Sequence, residues 1–219
     1  EEIDIALQVI ERYPEDLALA RTAADVERIF HEGRIPSLLG MEGGHAIENS
    51  LGALRAFYAL GVRYLTLTHS ANIDWADAGT DQELHGGLTE FGREVVREMN
   101  RMGMLVDLSH TSVNTMHDVL DVAEAPVIYS HSSARALTDH VRNVPDEVLR
   151  RIPENGGVVM VTFVPSFINE EIRTWEGSRA DMPRATIGDV ADHIEHVRRV
   201  AGIDHVGIGS DFDGISSTP

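Results

Sequence analysis

Apolar residues recur along this chain at helical spacing, and each such stretch is followed by a short apolar run. Ile3, Ala6, Leu7 and Ile10 share one helical face, which Pro14 interrupts. Thr22 and Asp25 have the spacing of a capping box ahead of Val26, Ile29 and Phe30, and Gly33 closes the turn before the run 35–41. Ser50 can cap a helix carrying Leu51, Leu54, Ala56, Phe57 and Leu60; Gly61 ends it and the β-branched run 62–68 comes next. The plan repeats with Thr89, Phe91, Val95, Val96, Met99 and Met102 before Gly103 and the run 104–108, and with a helix over 113–123 before 126–129. Pro145 then precedes Val148, Leu149 and Ile152, with Gly156 and Gly157 leading into 158–164. Thr186 and Asp189 open a last helix with Val190, Ile194 and Val197, closed by Gly202 before 206–209.

Six apolar strands separated by amphipathic helices, with no polar-out alternation in the strands, predict an α/β fold with a parallel sheet covered on both faces. The units share no sequence repeat, which argues against a solenoid. The least regular stretches, 73–88 and 165–185, are expected to be loops over a site. A length of 219 residues suits one domain spanning 1–219, because β/α barrels exceed 200 residues as single units.

Charge narrows the partners. With 36 acidic and 18 basic residues the net charge is −18, a surface that repels phosphate backbones and anionic lipid heads. No nucleic acid and no membrane contact are expected. Zero cysteines exclude disulfides, thiolate zinc sites, Fe–S clusters and a cysteine nucleophile, so any metal must be held by His and carboxylates. The first residues lack a signal-peptide pattern and no apolar run reaches membrane-span length; with the absence of cysteine, this gives an expectation of cytoplasmic residence. The chain opens inside a helical pattern without Met and stops just after a motif, so both ends are expected to be cut.

The informative feature is the residue that ends each strand. Glu42, His69, His110, His131 and Asp211 each stand at the C-terminal end of an apolar run, the edge where a β/α barrel gathers its active-site residues. Two imidazoles and a carboxylate can hold a catalytic zinc with a position left for water, and Glu42, His110 and His131 form the best set. Glycines flank Glu42 in Gly40-Met41-Glu42-Gly43-Gly44-His45. No phosphate-binding loop and no Gly-x-Ser-x-Gly elbow is present. Arg142, beside Asn143 and Pro145, reads equally well as a surface residue at a helix start. His45 and Asp213 read as packing or turn residues, Trp75 and Tyr129 as pocket walls or packing. His31, His85, His117, His140, His193, His196 and His205 read as surface or loop residues.

The segments 40–45 (GMEGGH), 64–70 (YLTLTHS), 106–110 (VDLSH), 127–133 (VIYSHSS), 142–145 (RNVP) and 207–214 (GIGSDFDG) together resemble the renal or membrane dipeptidase family of zinc peptidases. The resemblance keeps the family's order through almost the whole chain and is weakest over 165–185. It implies a TIM-type (β/α)8 barrel with two zinc ions and hydrolysis of small dipeptides, including those with a C-terminal D-residue. By that resemblance Glu42 bridges both metals, and His110 and His131 belong to one zinc. His69 contacts substrate and its tetrahedral intermediate, Arg142 holds substrate, and Asp211 handles a proton. Family members open with a strand ending in His-x-Asp that has no match here. The expectation is therefore a barrel lacking its first and last strands, with one metal half-site complete. Two alternatives remain: another metal-dependent amidohydrolase on the same barrel, or a truncated, non-catalytic metal-binding fragment whose open sheet edges favour a homo-oligomer. Arg142 discriminates, since only a substrate with a carboxylate needs it.

Overall fold

The computed structural model describes residues 1–219. Helix α1 (Glu2–Arg12) leads to β1 (Leu17–Leu19), α2 (Ala23–His31), β2 (Ile35–Ser37) and β3 (Leu39–Glu42). Then come α3 (Leu51–Ala59), β4 (Val62–Thr66), α4 (Glu90–Met102), β5 (Leu105–Asp107), α5 (Val113–Val122) and β6 (Ile128–Tyr129). The chain continues through α6 (Asp146–Leu149), α7 (Ile152–Asn155), β7 (Val158–Val161), α8 (Pro165–Ile168), α9 (Glu170–Arg173), α10 (Ile187–Ala201) and β8 (Val206–Ile208). No helix is long and apolar enough to cross a membrane.

Local sequence chemistry sets most helix starts. Thr22 and Thr186 each close a reciprocal capping box, with Asp25 and Asp189 respectively. Ser50, Thr89 and Ser112 each accept the backbone N–H three residues on, satisfying a donor that the first helical turn leaves free. Gly103 ends α4 in the left-handed conformation.

Strands β3 to β8 form one parallel sheet in sequence order, the arrangement of a β/α barrel wall. Strands β3 and β8 do not pair with each other, so the wall is open between them. The core lies between sheet and helices: Leu65, Val106, Tyr129, Val159 and Val161 pack with Leu54, Val95, Met99, Met116, Val119 and Val197. Trp75 and Tyr129 belong to this core and serve packing.

Three expectations about strands and loops need correction. The run 35–41 is not one strand: residues 35–37 pair with β1, a strand the periodicity missed, while 39–42 join the main sheet. Pro36 offers no N–H to a ladder and suits the small two-stranded sheet, and the register slips between Leu39 and Gly40. Cover on both faces holds for β6 but not at the edges, where Ile208 is 63% exposed. The stretch 165–185 holds two short helices instead of only loop.

His193 and His196 on α10 are buried and not surface residues. Nδ1 of His193 accepts from the Ala134 N–H at 3.0 Å, which leaves Nε2–H to donate to the Ile168 carbonyl at 3.2 Å. A second ring proton has no place there, and burial lowers the His193 pKa to about 4. A histidine whose folded pKa lies below its unfolded value stabilises fully above the unfolded pKa and loses that contribution as pH falls towards the folded one. For His193 the window runs from about 6.5 to about 4 and is worth roughly 3 kcal/mol. Burial shifts His110, His131 and His140 in the same direction. Thermal melts between pH 7 and pH 4 should therefore show falling stability, and His193→Gln, which offers one acceptor and one donor but no titration, should flatten the fall by most of that amount. Equal slopes in the two proteins would refute the assignment.

Candidate metal centre

Parallel pairing sends every carboxyl end of the main sheet to the same edge, and five of the six sequence-derived candidates stand there. Glu42 is the last residue of β3, and Gly43 turns the chain away with φ +98°. His69, His110 and Asp211 each lie three residues beyond β4, β5 and β8, and His131 lies two beyond β6. His110 and Asp211 adopt positive φ, 72° and 59°, strained for residues with a Cβ. The turn that carries Asp211 also needs Gly209, where a Cβ would stand 1.8 Å from the Ser130 carbonyl oxygen.

Three donor atoms converge. Nε2 of His110 is 3.0 Å from Glu42 Oε1, Nε2 of His131 is 3.3 Å from the same oxygen, and the two nitrogens are 2.9 Å apart. His69 is farther out, its Nε2 3.9 Å from Glu42 Oε2, with its ring centroid 4.5 Å from that of His110. Burial lowers the pKa of His110 and of His131, which favours neutral rings. Glu42 is held down at about 2, chiefly by its hydrogen bond with His110. The trio is thus two imidazoles and a carboxylate anion, and only one or two protons can lie among three atoms that otherwise turn lone pairs on one another. Donors held 2.0 to 2.2 Å from a tetrahedral zinc lie about 3.3 to 3.6 Å apart, within a few tenths of an ångström of this triangle. Glu42, His110 and His131 fit a metal ion in donor chemistry and in spacing.

A cavity of about 330 Å³ opens beside them, lined among others by Glu42, His131, Tyr64, Ser130, Asp211 and Asp213. Burial raises the Asp211 pKa, and the charges of His131 and Arg142 oppose that rise. Arg142 is buried, not a surface residue: it is 7% exposed and forms no salt bridge. Its Nη2 donates to the His131 carbonyl at 3.4 Å, its Cζ sits 5.2 Å from the Phe167 ring centroid, and its Nε has no partner. Burial lowers its pKa to about 10, which leaves it a cation at neutral pH with donors to spare. His45 is exposed and lies outside the trio.

Sequence reasoning missed the groups that hold these in place. Asn143, fully buried, accepts from Ser133 N and donates to the carbonyls of Thr138 and Phe167, fixing the Arg142 segment against α8. Asp107 and Ser130 lie behind His131. The detectable signal for Asp107 was a charge at the end of an apolar strand, three residues before His110.

The whole chain, residues 1–219, matches the family model described as membrane dipeptidase, peptidase family M19. It is 49% identical over 219 residues to the dipeptidase verJ of Clonostachys rogersoniana, covering all of this chain and 53% of that protein. It is 48% identical over 218 residues to the dipeptidase tcpJ of Claviceps purpurea (strain 20.1), covering 99% of this chain and 49% of that protein. The chain thus spans about half the length of the curated relatives it matches. Among solved structures it resembles a metallo peptidase from Rhodobacter sphaeroides liganded with a phosphinate mimic of the dipeptide L-Ala-D-Ala. The TM-score is 0.85 at 33% identity, over 98% of this chain and 61% of that one.

If the trio holds a metal, binding should stabilise the fold, because ligand that binds only the folded state adds to its stability. Saturating Zn²⁺ is expected to raise the melting temperature, and Glu42→Gln, which keeps shape but removes the anion, should lose most of the rise. Elemental analysis after desalting should show at least one equivalent lost with Glu42; unchanged content would refute the set.

Proposed function

We propose, from the premise that this chain belongs to the membrane dipeptidase family, that its carboxyl-edge site takes part in metal-dependent hydrolysis of dipeptides. The observation that carries the reading is the trio of Glu42 Oε1, His110 Nε2 and His131 Nε2 within 3.3 Å of one another, beside a buried, unpaired Arg142. Residues 1–219 act in this reading as one domain of the enzyme, with cytoplasmic residence as part of the same proposal.

Two imidazole nitrogens and a carboxylate oxygen suit zinc. Glu42 would hold one ion through Oε1, and its Oε2, on the His69 side, would remain for a second. A zinc held there would supply a water acidic enough to be hydroxide at neutral pH and would polarise a carbonyl.

The chain's own residues do the rest. Asp211 shares the cavity with Glu42 and His131, and its raised pKa suits a carboxylate that takes a proton from the attacking water and returns it to the leaving amine. In this reading His69, half exposed beside Glu42, hydrogen-bonds the oxygen on which negative charge develops. Arg142 offers unfilled guanidinium donors in a buried setting, and the free carboxylate of a dipeptide would satisfy them. This pairing implies a small substrate with a free C-terminus, and the phosphinate mimic of L-Ala-D-Ala bound by the Rhodobacter relative supports a D-residue there.

Arg142→Ala is expected to raise KM for L-Ala-D-Ala by at least tenfold, with a smaller change in kcat, because it removes binding to a carboxylate that does not react. An unchanged KM would favour a metal-dependent amidohydrolase acting on a substrate without that carboxylate.

A further inference from the structure

One carboxylate behind the trio fixes which nitrogen of His131 carries its proton. We propose that Asp107, acting through the Ser130 hydroxyl, holds His131 as the Nδ1–H tautomer and so presents the Nε2 lone pair to the metal centre. Both are positioning residues, and the inference rests on the proposed metal-binding role of Glu42, His110 and His131.

Hydrogen-bond direction decides where the proton sits. Asp107 ends β5, beside Thr66 in the sheet register, and is fully buried. Its Oδ1 accepts the N–H groups of Ser109 at 3.0 Å and Ser130 at 2.9 Å. Its Oδ2 accepts the hydroxyls of Thr66 and Ser130, both at 2.6 Å, the short range of O–H donors to a carboxylate oxygen. A carboxylate only accepts, so the single hydroxyl proton of Ser130 is committed to it. Ser130 Oγ is also 2.8 Å from His131 Nδ1, and with its proton already used it can only accept there. The proton of that contact therefore belongs to Nδ1, and a neutral ring then has its lone pair on Nε2, facing Glu42 Oε1 and His110 Nε2. The ring's own backbone is pinned as well, since His131 N donates to Ser109 Oγ at 3.0 Å. Groups that orient metal-binding histidines in this way typically contribute 10- to 100-fold in metal affinity.

The relay can be inverted without changing its shape. In Asp107→Asn the amide oxygen is drawn to the two backbone N–H groups, which turns the NH₂ towards the hydroxyls. Ser130 then accepts from Asn and donates to Nδ1, 2.8 Å away, in preference to Ser109 Oγ at 3.4 Å, which moves the proton of His131 onto Nε2. Ser130→Ala removes the bias without reversing it, and Ser130→Thr keeps the hydroxyl. Two measurements on the full protein at one fixed pH test this: Zn²⁺ affinity by chelator competition, and the His131 tautomer by long-range ¹H–¹⁵N NMR of histidine-labelled protein before metal is added. The expected order of affinity is wild type and Ser130→Thr, then Ser130→Ala about 10-fold weaker, then Asp107→Asn weaker still, by up to about 100-fold. The ring should read Nδ1–H in wild type and Nε2–H in the Asn variant. Thr66→Val, which removes the other hydroxyl donor to Asp107, should leave the tautomer unchanged. Nε2–H in wild type, or equal affinities across the series, would overturn the proposal; loss of affinity in Ser130→Thr to the level of Ser130→Ala would overturn it too, by assigning the effect to packing. Should Asp107→Asn fail to fold, the Ala and Thr pair decides the question alone. A wild type that binds no Zn²⁺ yet shows Nδ1–H would sink the metal reading and leave the relay standing.

Discussion

Parallel pairing is the constraint on which the rest of this molecule depends. A parallel ladder requires each strand to be followed by a crossover, and the crossover helices bury one face of the sheet while every carboxyl end emerges on the same edge. Residues far apart in the chain, Glu42, His110 and His131, thereby bring donor atoms within 3.3 Å of each other. The remaining strand-end groups, His69 and Asp211, are delivered to the same edge by the same rule.

Burial then fixes the charge states. It favours neutral His110 and His131 while hydrogen bonding keeps Glu42 an anion, which is the protonation pattern a divalent cation needs from its ligands. The same desolvation acts on Arg142, whose unpaired cation has no carboxylate of its own to satisfy it. The site therefore combines a convergence of acceptors with a separate, unfilled donor.

Much of the fold was legible along the chain because its determinants are local. Capping boxes at Thr22 and Thr186, the serine and threonine caps and the helix-ending Gly103 all act within one turn, and the structure has each where the spacing put it. Legibility ended where the determinant was not local. Strand β1, three residues long, has too few positions to show a period and exists because β2 pairs with it. His193 and His196 read as polar surface residues, yet α10 turns them into the protein, where Ala134, Ile168 and Asp146 supply their hydrogen-bond partners. Arg142 read equally as surface or site, and only the packing of Phe167 and the anchoring by Asn143 enclose it.

By itself the sequence determined the alternation of helices and strands, and hence a parallel α/β sheet with a row of ionisable residues at its carboxyl edge. Side-chain periodicity and capping are written into neighbours a few positions apart, so they can be read in order. Tertiary structure alone decided that Oε1 and two Nε2 atoms meet at a point and that Asp107 reaches His131 through Ser130. Those facts depend on sheet register, on backbone turns such as the positive φ of His110, and on the direction of single protons in buried hydrogen bonds. Each is settled by packing between segments distant in the chain, where local periodicity carries no information.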